Sequence, residues 1–271
     1  MPEGRDTLPG AKAAGTVMLN SLTIARFTIL EVRRGRLAVL VLCVLATAVV
    51  LAAFLGQVAI TDVEQVQAVI IAALERLCAV FLLTSLVVTG VRREADDRVI
   101  ELLLAHPVRR PSYVAGKAIG YGAIALVLAV ALALPLLALA PPARVACWSA
   151  SLAAELMMMV AAALFCALSL RSATASLAAV AGFYALGRSL DAIMLIASAS
   201  PQSRSWTDLA ARWTTEALGL VLPHIDRMTA SAWLAAPALE PAAVGWALLG
   251  AGVYTLLLIA AAFFDFARQS F

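Results

Sequence analysis

The stretch RREADDRVIELLLAHPVRRPSYVAGK, residues Arg92–Lys117, lies between two hydrophobic blocks that are each long enough to cross a bilayer. It carries six basic and four acidic side chains. Because charged side chains are costly in hydrocarbon, we expect this segment at the membrane surface with its charges in water. Within it, the apolar run from Val99 to Leu104 predicts a short amphipathic helix that ends at Pro107.

The chain as a whole is too apolar for a soluble domain. It has 271 residues, of which 63% are hydrophobic and 14% are charged. Because the apolar residues come in long blocks, the sequence predicts an all-α integral membrane protein. Four cysteines lack CxxC spacing, and we interpret them as small core residues: Cys43, Cys78, Cys147 and Cys166.

Six hydrophobic blocks exceed the roughly 20 residues that a helix needs to cross the bilayer. The predicted transmembrane helices are Leu37–Ile60, Val66–Val91, Ala118–Ala140, Cys147–Leu170, Thr174–Ser198 and Ala243–Phe264.

The sequence before the first span divides into a tail and a surface helix. Residues 1–17 have the composition of a disordered tail, and residues 18–271 are expected to form a single polytopic transmembrane domain. Asn20 or Ser21 can cap a helix that runs to Arg34. We predict that this helix lies on the inner membrane surface, because one face carries Leu22, Ala25, Ile29 and Val32.

Lysine and arginine are unevenly divided between the two sides of the predicted bundle. The termini, the Arg92–Lys117 segment and Arg171 hold fourteen of the twenty, whereas the opposite side holds four. The positive-inside rule therefore predicts a multi-pass protein of the cytoplasmic (inner) membrane with both termini in the cytoplasm. In the long external segment, residues 199–242, Trp206 and Trp213 share one face of a possible helix. A re-entrant helix and an ordinary loop with an interfacial helix both fit.

Five charged residues lie inside the predicted spans: Glu75, Arg76, Glu155, Arg188 and Asp191. Each costs about 2.5–3.5 kcal/mol in the bilayer centre, so each should face protein or water and have a partner. Counting residues from the predicted span ends places Glu75, Glu155 and Asp191 in one layer roughly 10–14 Å below the outer surface, with Arg188 a little deeper. Arg188 and Asp191 are also neighbours at i, i+3. Two interpretations stay open, a polar lining of a transport path and a buried ion network that only stabilises helix packing.

Sites for nucleotides, metals and catalysis are not predicted. The Gly116-Lys117 pair is not a phosphate loop, because Pro111 replaces its first glycine and Ala118 replaces the Ser or Thr that would meet magnesium. His106 and His224, the two histidines, are expected on opposite sides of the membrane, so no zinc site or histidine-based triad can form. We expect no catalytic residue, no metal, no cofactor and no nucleic-acid partner for this chain.

The charged stretch resembles the signature loop of type-2 ABC transporter permeases. In that family a Glu, a Gly-Thr-Leu-Glu-Leu-Leu-Leu helix, a Pro-Val-x-Arg turn and a Gly-Lys pair lead into the third membrane helix. The matching residues here are Glu94, Glu101–Leu104, Pro107, Arg110, Tyr113, Gly116 and Lys117. Arg98 and Val99 stand where the family usually has Gly-Thr. Within the family the chain is most similar to permeases of multicopper-enzyme maturation, such as the one serving nitrous oxide reductase, over Asp97–Lys117 and Leu222–Arg227.

The resemblance implies a type-2 ABC exporter-like fold and the membrane subunit of an ATP-driven transporter. The partners that it implies are a second copy of this chain, membrane lipid and a separate ATPase that binds ATP and Mg. It also implies that the ATPase docks on the loop between spans two and three. Glu94, Asp97, Arg98 and Glu101 would share one helix face there. The implied ATPase-coupling residues are Glu94, Asp97, Arg98, Glu101, Leu104, Pro107, Arg110 and Lys117.

The alternative is an ion-gradient-driven secondary transporter or channel that uses the intramembrane charges as an ion or proton relay. No internal repeat between the halves and no pair of interrupted spans supports it in the sequence. A non-transporting membrane scaffold is the third interpretation. The transported substrate has no recognisable motif.

Overall fold

A computed structural model describes residues 21–32, 37–58, 63–97, 110–199 and 241–268, with Trp213, Pro223, Ile225 and Leu234. These ranges form seven helices. They are α1 (residues 21–32), α2 (Leu37–Val58), α3 (Val63–Asp96), α4 (Arg110–Leu136), α5 (Pro142–Ser169), α6 (Ala173–Ala199) and α7 (Pro241–Arg268). The predicted tail of residues 1–17, the Val99–Leu104 helix and most of the external segment lie outside the described residues.

Helix α5 is the centre of the bundle and packs against α3, α4, α6 and α7. It begins at Pro142, where a proline is tolerated because the first helical N–H groups have no intrahelical acceptor. Small alanines let neighbouring helices approach closely, and large apolar side chains fill the space between them. Its buried large side chains include Trp148, Leu152, Leu156, Met158 and Met159.

Five helices are long and apolar enough to cross a membrane, so the chain is a multi-pass membrane protein. They cover Leu37–Gln57, Glu64–Asp96, Ser112–Leu136, Pro142–Ser169 and Val244–Arg268. The prediction of an all-helical membrane fold is thereby confirmed, as are five of its six spans. Helix α6 is long enough but is not among the five, and it carries Arg188 and Asp191 in its middle. Its crossing of the bilayer stays a prediction.

Two predicted span boundaries beside the charged stretch were wrong. Helix α3 continues past Val91 to Asp96, and α4 begins at Arg110 rather than at Ala118. Charged residues end a hydrophobic block without ending a helix, because a helix can extend beyond the bilayer when its side chains reach water. Pro111 is compatible with this start, since it lies in the first turn. Both ends of the predicted loop are therefore helical extensions of the neighbouring spans.

Helix α1 is present as predicted, and it packs on the bundle mainly through small residues. The buried residues are Ser21, Ala25, Thr28 and Val32, whereas Leu22 and Ile29 are exposed. The buried face is small because α1 lies close to the backbone of α4. Its large apolar side chains point away from the bundle, which suits a helix partly immersed in the bilayer.

Candidate functional site

A cluster of charged side chains is buried where α3, α5 and α6 meet. Arg76 of α3 forms an ion pair with Glu155 of α5, and the two side chains are 1% and 0% exposed. The second guanidinium nitrogen of Arg76 donates to the Ser151 hydroxyl at 3.0 Å. Trp148 lies one turn before Ser151, with its ring 5.3 Å from the Arg76 guanidinium carbon. Helical spacing on α5 therefore supplies a carboxylate, a hydroxyl and an aromatic face to one cation.

Arg188 of α6 approaches the same carboxylate from the other side. Its Nη1 lies 3.9 Å from Glu155 Oε1, and its side chain is 32% exposed. Tyr184, one turn earlier on α6, is close enough to interact electrostatically with Glu155. The carboxylate of Glu155 thus lies between two guanidinium groups, one buried and one partly exposed at the surface of the protomer.

The structure brings together three of the five intramembrane charges, which are Arg76, Glu155 and Arg188. Glu155 lies thirteen residues after the start of α5 and fourteen before its end, which is about 20 Å from either end. Arg188 lies next to Glu155, and its pairing with Asp191 stays a prediction. The side chain of Asp191 lies outside the described part of the chain.

Glu75, the fourth predicted charge, has a different environment from Glu155. Its side chain is fully buried, and neither of its carboxyl oxygens has a hydrogen-bond partner among the residues that the structure describes. Because Glu75 and Arg76 are adjacent on α3, they point about 100° apart around the helix. Only Arg76 is therefore directed at α5. A buried carboxyl without a partner destabilises the fold.

A second polar cluster joins the end of α3 to the start of α4. The carboxylate of Glu94 forms an ion pair with Lys117 and accepts a hydrogen bond of 2.7 Å from the Tyr113 hydroxyl. Tyr113 and Lys117 are one helical turn apart, so both reach the same carboxylate. The Tyr113 ring stacks on Phe266 of α7 with ring centroids 5.8 Å apart. This helix-end cluster consists of Glu94, Tyr113, Lys117 and Phe266.

Further contacts hold the ends of three spans together at the same end of the bundle. The guanidinium of Arg92 donates to the Leu170 carbonyl at 3.2 Å, which links α3 to the residue after α5. The Ser169 hydroxyl donates to the Asp265 carboxylate at 2.7 Å, which links α5 to α7. These are segments that the lysine and arginine count assigns to one side of the membrane. That this side is the cytoplasm stays a prediction.

The surface helix α1 is packed directly onto the start of α4. A Cβ at Gly116 would lie 2.7 Å from the Cβ of Ile24, and one at Gly120 would lie 2.9 Å from the Cβ of Thr28. Such distances are too short for any side chain larger than hydrogen, so the two glycines allow close backbone contact. Because Lys117 lies between them, α1, α4 and the end of α3 form one packed unit.

The predicted ATPase-coupling residues divide into three groups. Glu94 and Lys117 are engaged with each other and are only 17% and 4% exposed, so their described contacts are within the chain. Asp97 is exposed and lies 3.7 Å from the exposed Arg93. The others are not described in side-chain detail: Arg98, Glu101, Leu104 and Pro107 lie outside the described residues, and Arg110 is described only as the first residue of α4.

Several partners in these clusters were not predicted. Ser151 and Trp148 lack any signal of their own, although their spacing of four and seven residues from Glu155 places them on one face of α5. Tyr113 was recognised only as part of the loop resemblance. Its position four residues before Lys117 could have indicated a shared partner.

Part of the external segment reaches deep into the bundle. Pro223 and Ile225 are buried, and a Cβ at Gly187 would lie 2.8 Å from a methyl group of Ile225. Gly187 is fourteen residues from the start of α6, about 21 Å along its axis. Leu234 is also buried, and its carbonyl accepts a hydrogen bond of 3.1 Å from Arg144. These contacts favour the re-entrant interpretation for residues 223 and 225, whereas Trp213 is exposed.

The described residues contain no group of three or more His, Cys, Asp or Glu side chains placed to hold a metal ion. The two polar clusters join helices through ion pairs and hydrogen bonds.

Comparison with known proteins agrees with this geometry. No curated protein is similar enough to match the chain. The family model described as ABC-2 family transporter protein matches residues 87–270, which begin near the end of α3 and include α4 to α7. Permeases of that family work with ATPase subunits. The match covers more than half of the chain and includes the helix-end cluster, and this chain therefore belongs to the ABC-2 family of transporter proteins as a membrane permease subunit.

Proposed function

We propose that this permease is the membrane half of an ATP-driven exporter and works as a homodimer with two copies of a separate ATPase. ATP and Mg are bound by the ATPase. The ATPase docks on the coupling segment, residues 92–117, on the cytoplasmic side of the inner membrane. Residues 18–271 form a single transmembrane domain with six spans. Helix α6 is the fifth of these spans.

The observation that carries this proposal is the helix-end cluster. The ion pair of Glu94 with Lys117 and the hydrogen bond from Tyr113 tie α3 to α4 directly beside the coupling segment. A displacement applied to the segment is therefore passed to two spans at once. The contact of Gly116 and Gly120 with α1 and the stacking of Tyr113 on Phe266 extend the unit to α1 and α7. Transmission by rigid helices of this kind suits a subunit that receives force from another protein.

These contacts also sharpen the roles of the predicted coupling residues. Glu94 and Lys117 hold the two helices in register, and they are positioning residues in this proposal. Asp97, with Arg98, Glu101, Leu104, Pro107 and Arg110, forms the surface that meets the ATPase. Mixed charges on such a surface fix the register of an interface and speed association.

The buried charges support a role beside a transport path between the two permeases. Arg188 is the partly exposed member of the cluster, whereas Arg76 and Glu155 are fully covered. In a homodimer the exposed guanidinium would face the space between the copies, with Glu155 and Arg76 holding it in place. The transported substrate then meets a cation near the middle of the membrane.

The coupling role is tested by charge reversal in the coupling segment. Glu101→Lys and Arg110→Glu change no residue of the buried clusters, so the permease should insert and dimerise normally. Each should weaken retention of the ATPase when the permease is purified and should lower ATP turnover of the complex in lipid, because like charges across an interface repel. Glu64→Lys is the matched control, since Glu64 is exposed in the first turn of α3, at the opposite end of that helix. Normal ATPase retention and turnover in both loop variants would contradict the proposal.

The ion-gradient-driven transporter or channel has less support than the ATP-driven permease. Family membership favours an ATP-driven partner, and the central charges form an ion pair and hydrogen bonds across helices rather than a chain across the membrane. The similarity to the maturation permeases of multicopper enzymes does not identify the transported substrate.

A further inference from the structure

An apolar crevice lies between α1, α2 and α4, away from both polar clusters. Its volume is about 600 Å³, within the range of roughly 300–1,000 Å³ typical of small-molecule sites. Every lining side chain is aliphatic. The lining includes Ile29 and Val32 from α1, Leu37 and Leu45 from α2, and Ala123 and Ala131 from α4.

The crevice is elongated and runs from the surface helix into the membrane. Its α2 wall extends from Leu37 to Leu45 and its α4 wall from Ala123 to Ala131, each about 12 Å of helix. The α4 wall begins just beyond Gly120, where α1 is packed against α4. The crevice therefore begins about 9 Å along α4 from Lys117 of the helix-end cluster and continues away from that cluster.

The crevice opens toward the bilayer rather than into the bundle. Of its lining side chains, Leu42 and Val127 are more than half exposed. Helix α2 forms one wall, and only 6% of its 18-residue apolar stretch is buried inside the protein, compared with 72% of the corresponding stretch of α5. This apolar groove is continuous with the hydrocarbon of the bilayer. Hydrocarbon chains fill it rather than water, because water gains no hydrogen bonds there.

Positive charge accompanies the α1 end of the crevice. Arg26 is exposed on α1, one turn before the lining residue Ile29, and the exposed Glu31 lies two residues after it. In the sequence, Val32 and Leu37 both line the crevice, and three of the four residues that separate them are arginines. Basic residues at the membrane surface attract anionic lipid headgroups. An apolar slot beside basic sequence therefore matches a molecule with one long hydrocarbon chain and a negative headgroup.

We propose that this crevice is a binding site for one acyl chain of an anionic membrane phospholipid. The chain lies along α2 and α4, and the headgroup stays at the surface beside α1. Because all three walls contribute, a bound chain links α2 to the unit formed by α1 and α4. The site is separate from the proposed transport path, which lies beside Arg188 of α6.

The proposal is tested by native mass spectrometry of the full-length permease after delipidation in detergent and titration with phosphatidylglycerol or phosphatidylcholine. The wild type should retain one phosphatidylglycerol per chain and bind phosphatidylcholine more weakly. The double variant Ala123→Leu, Ala131→Leu fills the crevice and should retain the lipid about tenfold less well, as expected from losing about two buried methylenes. Ala46→Leu is the matched control, because Ala46 is exposed on α2 and does not line the crevice.

Two outcomes of this titration overturn the proposal. One is equal lipid retention by the crevice-filling variant and by Ala46→Leu. The other is conversion of the filled variant to a monomer with unchanged lipid retention, which would make the crevice an interface between copies. If the variant does not fold, the proposal is tested on the wild type by photolabelling with a phosphatidylglycerol that carries a photoreactive acyl chain. After delipidation, labelling of residues 123–131 should persist while labelling of the exposed residues Val253 and Leu257 on α7 disappears. Equal loss at both surfaces also overturns it.

Discussion

Two ion pairs join α3 to neighbouring helices, and they differ in what surrounds them. The pair of Arg76 and Glu155 lies near the middle of the bundle with both side chains covered. The pair of Glu94 and Lys117 lies where α3 ends and α4 begins, and Glu94 keeps 17% exposure. Both carboxylates have a second neighbour, Arg188 for Glu155 and the Tyr113 hydroxyl for Glu94.

The difference teaches what each pair can contribute. Deep in the bilayer a lone charge cannot be rescued by water, so removing one partner of the Arg76 pair is expensive. At the helix ends, water and lipid headgroups can partly replace a lost partner. The central pair should therefore matter most for folding, and the helix-end pair for transmission of movement between α3 and α4.

The largest effect is expected for Arg76→Leu. It leaves Glu155 buried with only the more distant Arg188 as a counter-charge, and breaking a buried pair in this way costs about 3–5 kcal/mol. The measurement is the thermal stability of the purified permease. The double variant Arg76→Leu, Glu155→Leu removes both buried charges of the pair and should recover most of the loss. A double variant as unstable as the single one would contradict a partnered pair.

Lys117→Met should reduce stability less than Arg76→Leu does, but it should impair coupling more. Glu94 keeps its hydrogen bond from Tyr113, so we expect a loss of about 2 kcal/mol, typical of a charge-assisted hydrogen bond. Transport per ATP hydrolysed should fall, because α3 and α4 are no longer tied together. The control is Glu64→Ala, which removes an exposed carboxylate at the opposite end of α3 and should cost less than about 1 kcal/mol. Equal coupling in the two variants would show that the helix-end pair does not transmit movement.

The smallest effect, and one of opposite sign, is expected for Glu75→Leu. Glu75 is buried and its oxygens lack a hydrogen-bond partner among the described residues, so an apolar replacement removes a desolvation cost without breaking a contact. We expect a gain of about 1 kcal/mol in the free energy of unfolding. Glu155→Leu, the matched carboxylate removal, should instead destabilise the permease. Destabilisation by Glu75→Leu, measured in the same thermal assay, would mean that Glu75 has a partner in the assembled transporter.

Much of the architecture could be read from hydrophobic block length, because a helix must satisfy its own backbone in hydrocarbon. That constraint is local, so the positions of α2, α3, α4, α5 and α7 were predicted within a few residues. The boundaries at Asp96 and Arg110 were missed, because hydropathy marks the edge of the bilayer and not the end of the helix. The face through which α1 packs on the bundle was not predicted, for a related reason. Hydrophobicity does not indicate close packing, and small residues are buried against Gly116 and Gly120.

The candidate sites show the same division. Intramembrane charges are conspicuous in a sequence, and Glu75, Arg76, Glu155 and Arg188 were all identified. Their pairing across helices was not, because sequence spacing indicates neighbours only within one helix, whereas Arg76 and Arg188 approach Glu155 from two other helices.

The sequence by itself determined that this protein is helical, crosses the membrane several times and exposes a charged segment of the type-2 ABC pattern between two spans. Those properties depend on runs of neighbouring residues, and the bilayer restricts such runs to helices. Only the tertiary structure decided which charges share a partner, since Arg76 and Glu155 are 79 positions apart and Glu94 and Lys117 are 23 apart. Contacts over such separations depend on which helices become neighbours, and packing of small residues around α5 decides that.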